Sequence, residues 1–369
     1  MAKKRSMESG LDQLTRLGAA AGPARLAKLD REIVALLNQR AALAQGGSVA
    51  GCPTTASDMI DLSVVDAAVK ASAGPLPAPA VEAVFRELLS GIRAARGPIR
   101  VAYLGPEFTY SHLAAIAKFG QSAELVPVGS IAAVFEEVER GHAAYGVVPI
   151  ENSTDGRVAD ALECLSRSAI QICGEAPLRI RHCLLGHGPR SAIRRVCSKP
   201  QALSQCRNWL SAHLPSVKLE PTASSAEAAC LAAAEPETAA IASEQAATNH
   251  GLDVLARNIE DNPDNVTRFA IIGRTAAERT GKDKTALVFE APHEPGSLAD
   301  AMAIFKRQRL NLTWIESFPI PQARGRYLFF LEFQGHPTEL RVKRALASLG
   351  KKSLRLTVLG SYAEAAVLG

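Results

Sequence analysis

The stretch Gly146-Val147-Val148-Pro149-Ile150-Glu151-Asn152-Ser153-Thr154-Asp155-Gly156 decides how this chain is read. Its apolar start, residues 146–150, has the length and β-branched content of a strand. A polar, turn-forming loop follows at once, and an amphipathic helix near 159–166 comes after it. A strand that empties into a polar loop and then a helix is the repeating unit of an α/β sheet.

The same unit recurs on both sides. Upstream lie a strand at 101–104, a helix near 111–119, a strand at 125–128 and a helix near 131–140. Downstream lie a strand at 195–197, a helix near 202–213, a strand at 217–220, a helix near 226–234 and strands at 239–242 and 269–273. Residues 99–275 therefore read as an α/β domain with parallel sheet, long enough for two lobes. Ligands of open α/β sheets bind beyond the carboxyl ends of the strands, so the post-strand loops hold the candidate site. Four stand out: Gly105-Pro106-Glu107-Phe108-Thr109-Tyr110-Ser111-His112; Pro149-Ile150-Glu151-Asn152-Ser153-Thr154-Asp155-Gly156; Thr222-Ala223-Ser224-Ser225; and 262–269, ending Thr267-Arg268-Phe269. Hydroxyls and N–H groups at helix N-termini suit an anion, because the first helical turn leaves donors unpaired. The same residues taken singly are ordinary helix caps.

Residues 1–96 read as helical. Leu26, Leu29, Ile33, Leu36 and Leu37 mark one helix face, and Val81, Val84, Phe85, Leu88, Leu89 and Ile92 another, with Pro75, Pro77 and Pro79 before it. The Gly/Ser/Thr-rich 46–55 segment between them reads as a connection. Residues 284–362 read as β-α-β-β-α-β, a ferredoxin-like split motif: strands at 285–290, 312–316, 327–333 and 354–359, a helix opened by Ser297 as N-cap and one at 340–349 closed by Gly350. The fold class is thus multidomain, with an all-α segment, a two-lobed α/β domain and a ferredoxin-like unit.

Composition narrows the function. The chain has 369 residues, a formal charge of +5, 47% hydrophobic and 21% charged residues, which excludes wholesale disorder. The surplus cations are spread thinly, so no nucleic-acid partner is expected, while a small anion is compatible. No apolar run approaches about 18 residues, so no membrane span is expected. No apolar region follows Lys3, Lys4 and Arg5, so no secretory signal is expected. Seven cysteines with no CxxC spacing read as free thiols of a cytoplasmic protein. No G-x-S-x-G, metal-type histidine pair or Walker lysine occurs, so the reading includes no cofactor and no metal. His112 is a candidate base or a hydrogen-bonded structural histidine.

On these motifs the chain resembles a known family. Tyr103-Leu104-Gly105-Pro106 with Thr109, Ser111 and His112 is similar to the opening motif of prephenate dehydratases, residues 146–156 to their second motif and Thr267-Arg268-Phe269 to their catalytic one. The third section resembles an ACT regulatory domain and the first 96 residues an all-helical chorismate mutase. Together they resemble the bacterial P-protein. The resemblance implies a periplasmic-binding-protein-like dehydratase domain over 99–275 and conversion of prephenate to phenylpyruvate with loss of water and CO2. It implies Thr267 as the donor to the leaving hydroxyl. Gly105, Pro106, Thr109, Ser111, His112, Glu151, Asn152, Ser153, Thr154, Ser198, Lys199, Thr222, Ser224, Arg268 and Phe269 are then expected around the substrate dianion. Glu294, Pro295, Gly296, Ser297 and Leu298, with Asn311, Leu312, Glu316 and Ser317, are expected to bind L-phenylalanine as effector, in a homodimer or homotetramer. Arogenate dehydratase, or a non-catalytic amino-acid sensor on the same fold, are the alternatives.

Departures from the family pattern are local. Phe108 stands where glycine is usual, Lys199 where histidine is common and Phe318 where arginine is usual. In the first section Arg40 matches a family arginine, residues 46–52 lack the expected basic residue, and Arg96 stands near where glutamine or glutamate is usual. Rearranging a dianion needs several cations and donors around the ether oxygen, so the mutase part is expected to be degenerate.

Overall fold

The computed structural model describes residues 23–45, 58–320 and 326–368. The 46–55 connection, with Cys52 and the position of the missing basic residue, lies outside the described residues. The chain divides into two compact units, Met1–Gly97 and Pro98–Gly369. The first contains helices α1 (Pro23–Gln45), α2 (Leu62–Ala71) and α3 (Ala78–Ala94). Asp61 caps α2 by accepting from Ser63 N–H, and Val65, Val81 and Ile92 are buried. Leu26, Leu29, Ile33 and Leu36 do lie on a helix, but its apolar face is exposed rather than packed.

The second unit holds three sheets. The first has strands β1 (Arg100–Leu104), β2 (Glu124–Val128), β3 (Tyr145–Asn152), β5 (Gln171–Arg179) and β11 (Val266–Gly273) in the order β2-β1-β3-β11-β5, with two-residue β4 (Gly156–Arg157) pairing with β3. Helices α4 (Tyr110–Phe119), α5 (Ile131–Glu139) and α6 (Ala159–Arg167) connect its strands. The second sheet takes β6 (Cys183–Gly186), β7 (Arg195–Ser198), β8 (Lys218–Pro221), β9 (Thr238–Ala242) and β10 (Asp253–Ala256) in the order β10-β6-β9-β7-β8. Its helices are α7 (Pro200–Gln205), α8 (Arg207–His213), α9 (Ser225–Ala234) and α10 (Glu244–His250).

Two expectations change here. The sheets are mixed, not parallel: β11 runs antiparallel to both β3 and β5, and β6 antiparallel to β9 and β10. The chain leaves the first lobe along β5, builds the second and returns on β11, so β11 enters from the opposite end of the sheet. That return sets the amino end of β11 beside the carboxyl end of β3. The helix expected over 202–213 is two helices meeting at Cys206, because the Asp261 carboxylate accepts from Asn208 and Trp209 N–H and starts a fresh first turn.

The third sheet is β12 (Asp283–Glu290), β13 (Leu312–Pro319), β14 (Tyr327–Gln334) and β15 (Arg355–Ala363), antiparallel in the order β13-β14-β12-β15, with helices α11 (Ser297–Arg307) and α12 (Leu340–Lys352). This is the split β-α-β arrangement. The N-cap of α11 is Gly296 in a left-handed conformation, with Ser297 the first helical residue, and Gly350 lies within α12 rather than ending it. The sheet does not stand apart. Ala286, Val288, Trp314, Phe330 and Leu359 share one core with Val148, Ile150, Leu162 and Ile172 of the first lobe. Gly360 allows the closest approach: at its φ of +150°, a Cβ would sit 2.1 Å from the Ile172 carbonyl oxygen.

Candidate active site

The geometry centres on two residues at the meeting of β3 and β11. Thr267 pairs with Asn152 and Arg268 with Glu151 across the strands. Side chains alternate along a strand, so each pair serves one face. On one face Asn152 Nδ2 donates to Thr267 Oγ1 at 2.8 Å and to Asn265 Oδ1 at 2.9 Å. Asn152 Oδ1 accepts from Thr154 and Asp155 N–H, both at 2.9 Å. Two backbone donors on the oxygen set which end of the amide faces Thr267. Thr267 Oγ1 accepts from Asn152, so its own hydrogen remains to be given.

The network continues into the second lobe. Asn265 Nδ2 donates to Gln205 Oε1 at 3.1 Å, and Gln205 Nε2 donates to Asp155 Oδ2 at 2.8 Å. His182 Nε2 lies 2.9 Å from Gln205 Oε1. Tyr110, first residue of α4, donates its hydroxyl to the Arg181 carbonyl at 2.5 Å and stacks edge-on to His182. Glu260, whose side chain is 1% exposed, accepts from His182 N–H at 2.8 Å and from Arg181 at 2.7 Å. Burial pushes the His182 imidazole below its ordinary range and the Tyr110 phenol well above its own. Gln205, His182 and Glu260 lie outside the loops that the sequence marks out, while Tyr110 and Asn265 lie within two of them without a role assigned there.

The opening loop is built on local bonds. Thr109 caps α4, accepting from His112 N–H, and donates to the Pro106 carbonyl at 2.9 Å. Phe108 N–H donates to His112 Nδ1 at 3.0 Å, so that nitrogen carries no proton. His112 is buried with Ser111, stacks on Tyr103, and burial lowers its pKa against the pull of Glu107. Among the described residues the buried Tyr103 hydroxyl has no hydrogen-bond partner. Phe108 takes the left-handed φ of 64° that favours glycine and packs against the second lobe's core. Gly105 donates its N–H to the Val128 carbonyl.

Several of the expected site residues engage other parts of the fold. Arg268 does not enter the face of Thr267. Its guanidinium donates to Glu151 (2.9 Å), Glu175 (2.9 Å) and Glu332 (2.6 Å) and lies over the Trp314 ring, because its position in the strand faces the third sheet. Glu151 goes with it. Lys284 joins Glu175 at 2.9 Å, and Tyr362 and Thr313 donate to Glu332. Burial works against the Arg268 charge, yet the carboxylates outweigh it and hold the group more basic than usual. Burial would likewise raise Glu332, but Arg268 and Lys284 keep it below the ordinary carboxylate range. Phe269 is buried in the core, and Ser198 is fully buried with its hydroxyl given to the Ile241 carbonyl at 2.6 Å. Thr222 donates to the Ser224 carbonyl and Ser224 caps α9, the local reading of both. Ser153 bonds the 264–266 backbone and Thr154 accepts from Asn262. Lys199 is exposed at the head of α7.

In the third sheet the expected effector residues fall in two places. A pocket of about 150 Å³, open to solvent, is lined by Glu294, Ser297 and Leu298 with Tyr327 and Phe329, beside the Pro295-Gly296 turn. Glu316 and the Ser317 carbonyl instead engage Arg157, and Asn311, next to Leu312, bonds Gln334. Phe318 packs on the shared core. Among the described residues no cluster of three or more His, Cys, Asp or Glu could hold a metal, and no helix is long and apolar enough to cross a membrane.

Comparison with known proteins gives a consistent picture. The family model for prephenate dehydratase matches residues 101–277. A bifunctional chorismate mutase/prephenate dehydratase of Aquifex aeolicus is 39% identical over 346 residues, 92% of this chain and 96% of the relative. The structure of a prephenate dehydratase from Arthrobacter aurescens in complex with L-Phe is 35% identical, with a TM-score of 0.67 over 72% of this chain and 90% of that one. A chain described as GqqA, a novel type of quorum quenching acylase, shares the fold at 29% identity and a TM-score of 0.66, over 72% of this chain and 98% of that one.

Proposed function

The chain belongs to the bifunctional chorismate mutase/prephenate dehydratase family, and from that premise we propose how its residues divide the work. It is a prephenate dehydratase of phenylalanine biosynthesis, with the periplasmic-binding-protein-like fold of that domain. In the reaction the ring carboxylate leaves as CO2, its bonding pair enters the ring, and the ring hydroxyl leaves with the C–O pair and gains a proton. Aromatisation supplies the driving force, so the protein's tasks are alignment and a donor to the departing oxygen.

Thr267 is that donor. The observation that carries this is the 2.8 Å bond from Asn152: it occupies the Thr267 oxygen as acceptor, polarises the hydroxyl and leaves its hydrogen free for the leaving group. An alcohol is a weak acid, so the contribution is a hydrogen bond that strengthens as charge develops. Asn265, Gln205 and His182 keep Asn152 in place. Lys199 and the first turn of α4, with Gly105, Pro106, Thr109, Ser111, His112, Ser153 and Thr154 around them, take the two carboxylates of prephenate. Arg268 and Glu151 hold the strand from its other face.

The C-terminal sheet is an ACT-type unit that binds L-phenylalanine, supported by the pocket at Glu294, Ser297 and Leu298 and by the L-Phe complex of the Arthrobacter relative. Asn311 and Leu312 reach that pocket from a second copy, in a homodimer or homotetramer, while Glu316 and Ser317 are engaged by Arg157 instead. The first unit is a chorismate mutase-like domain without turnover: Arg96 is spent on the Ala44 carbonyl. The protein works in the cytoplasm. Phenylpyruvate formation from prephenate by the purified full-length protein, read spectrophotometrically beside chorismate consumption, tests both assignments. Dehydration with no mutation of chorismate is expected. No phenylpyruvate would sink the first reading, and comparable chorismate turnover the second.

A further inference from the structure

The backbone of Asn152 is fixed by its pairing with Thr267, and Ser153 N–H donates to the Val266 carbonyl at 2.9 Å. The turn beyond it has less support: its outer strand, β4, has two exposed residues, paired as Glu151 with Arg157 and Asn152 with Gly156. Side chains help to set where that turn lies. Asp155 is held by Gln205 at 2.8 Å and Thr154 by Asn262 at 3.2 Å. A third grip comes from the opposite direction: Arg157 Nη1 donates to Glu316 Oε2 at 2.9 Å and to the Ser317 carbonyl at 3.2 Å, both on β13. Asn152 cannot adjust independently, because both ends of its amide are committed. Because Thr154 and Asp155 N–H hold the amide oxygen, the turn sets how the Asn152 amide is aimed at Thr267.

We propose that Arg157 is a positioning residue for the dehydration, tying the Asn152 hairpin to Glu316 and Ser317 of the C-terminal sheet so that Asn152 meets Thr267 at bonding distance. Arg157 lies one residue beyond the 146–156 stretch that the sequence marks out. Its side chain and that of Glu316 are 39% and 25% exposed, so the pair contributes little to overall stability. Its effect is geometric, and small misplacements of catalytic groups are costly in rate.

The test compares Arg157→Ala, Glu316→Gln, the double variant and Arg157→Lys in the full-length protein, with kcat and KM for prephenate and melting midpoints measured for each. Both single variants should lose about three- to tenfold in kcat, the span of a bond strained rather than removed. KM should stay within about twofold and the midpoints near wild type. The double variant should lose no more than the worse single, since both break one contact. Arg157→Lys should recover part of the rate. Wild-type kcat in both singles, losses that multiply in the double variant, or a loss confined to KM would each overturn the assignment. Turnover by the wild-type protein in the same assay separates that failure from failure of the dehydratase reading.

Discussion

Thr267 and Arg268 are adjacent in one strand and serve opposite sides of its sheet. Thr267 meets Asn152 beneath the second lobe, while Arg268 is held by Glu151, Glu175 and Glu332 against the C-terminal sheet. One dipeptide thus joins the chemistry to the packing of the C-terminal unit.

Removing the hydroxyl should remove the donor. Thr267→Ala is expected to lower kcat by at least about 10², the low end for a positioned acid, with folding intact because the residue is half-buried at a strand end. Steady-state kinetics with a circular dichroism melt check this; near-wild-type kcat in a folded variant would move the role elsewhere.

Asn152→Asp keeps an acceptor for Thr154 and Asp155 N–H but turns the end facing Thr267 into an acceptor too. The Thr267 hydrogen then goes to the new carboxylate, and kcat should fall by about 10² while the variant folds. A full-rate variant would show that the Asn152 donor is dispensable.

Arg268→Met takes the shared guanidinium from three carboxylates, leaving Lys284 on Glu175 and Glu332. Breaking a buried ion network from one side costs about 3–5 kcal/mol, so urea unfolding should shift strongly. KM for prephenate, in whatever fraction stays folded, should change little. A large rise in KM with unchanged stability would return Arg268 to the substrate.

Stability should fall in acid. His112 and His182 are both lowered in the fold from 6.5, chiefly by burial, and Glu332 is lowered from 4.5 by Arg268 and Lys284 against the effect of burial. Each binds its proton more readily when unfolded, so its contribution is complete above the unfolded value and is lost as pH falls. The urea midpoint should be level between about pH 8 and 7, decline below about 6.5 as the histidines charge, and decline again below about 4.5. A midpoint that rises between pH 7 and 5 would contradict the buried neutral histidines.

Calorimetry with L-phenylalanine should show binding tighter than about millimolar, roughly −4 kcal/mol. Glu294→Ala and Ser297→Ala should weaken it, since both line the pocket beside the Gly296 turn. Where phenylalanine lowers substrate affinity, a substrate analogue must weaken phenylalanine binding by the same factor. No heat at millimolar phenylalanine would reduce the C-terminal unit to a structural one.

Much of this was legible in the sequence. Strand-loop-helix alternation over 99–275 and the β-α-β-β-α-β order of the last section follow from the local pattern of apolar, turn and capping residues, while Thr267 is marked by the resemblance of its motif. Such patterns depend on neighbours a few positions apart, which the sequence contains directly. Which face a residue joins does not. The resemblance puts Arg268, Glu151 and Phe269 with the substrate, but the antiparallel return of β11 sets its register against a strand more than 100 residues earlier and sends them to the other side or into the core. Asn265 reaches Asn152 through the pairing of β11 with β3, and Gln205 and His182 join Asn265 only when the second lobe meets the first. Arg157 became the hairpin's third grip because β13 lies beside it. These outcomes rest on contacts between segments far apart in the chain, and only the tertiary structure decides those.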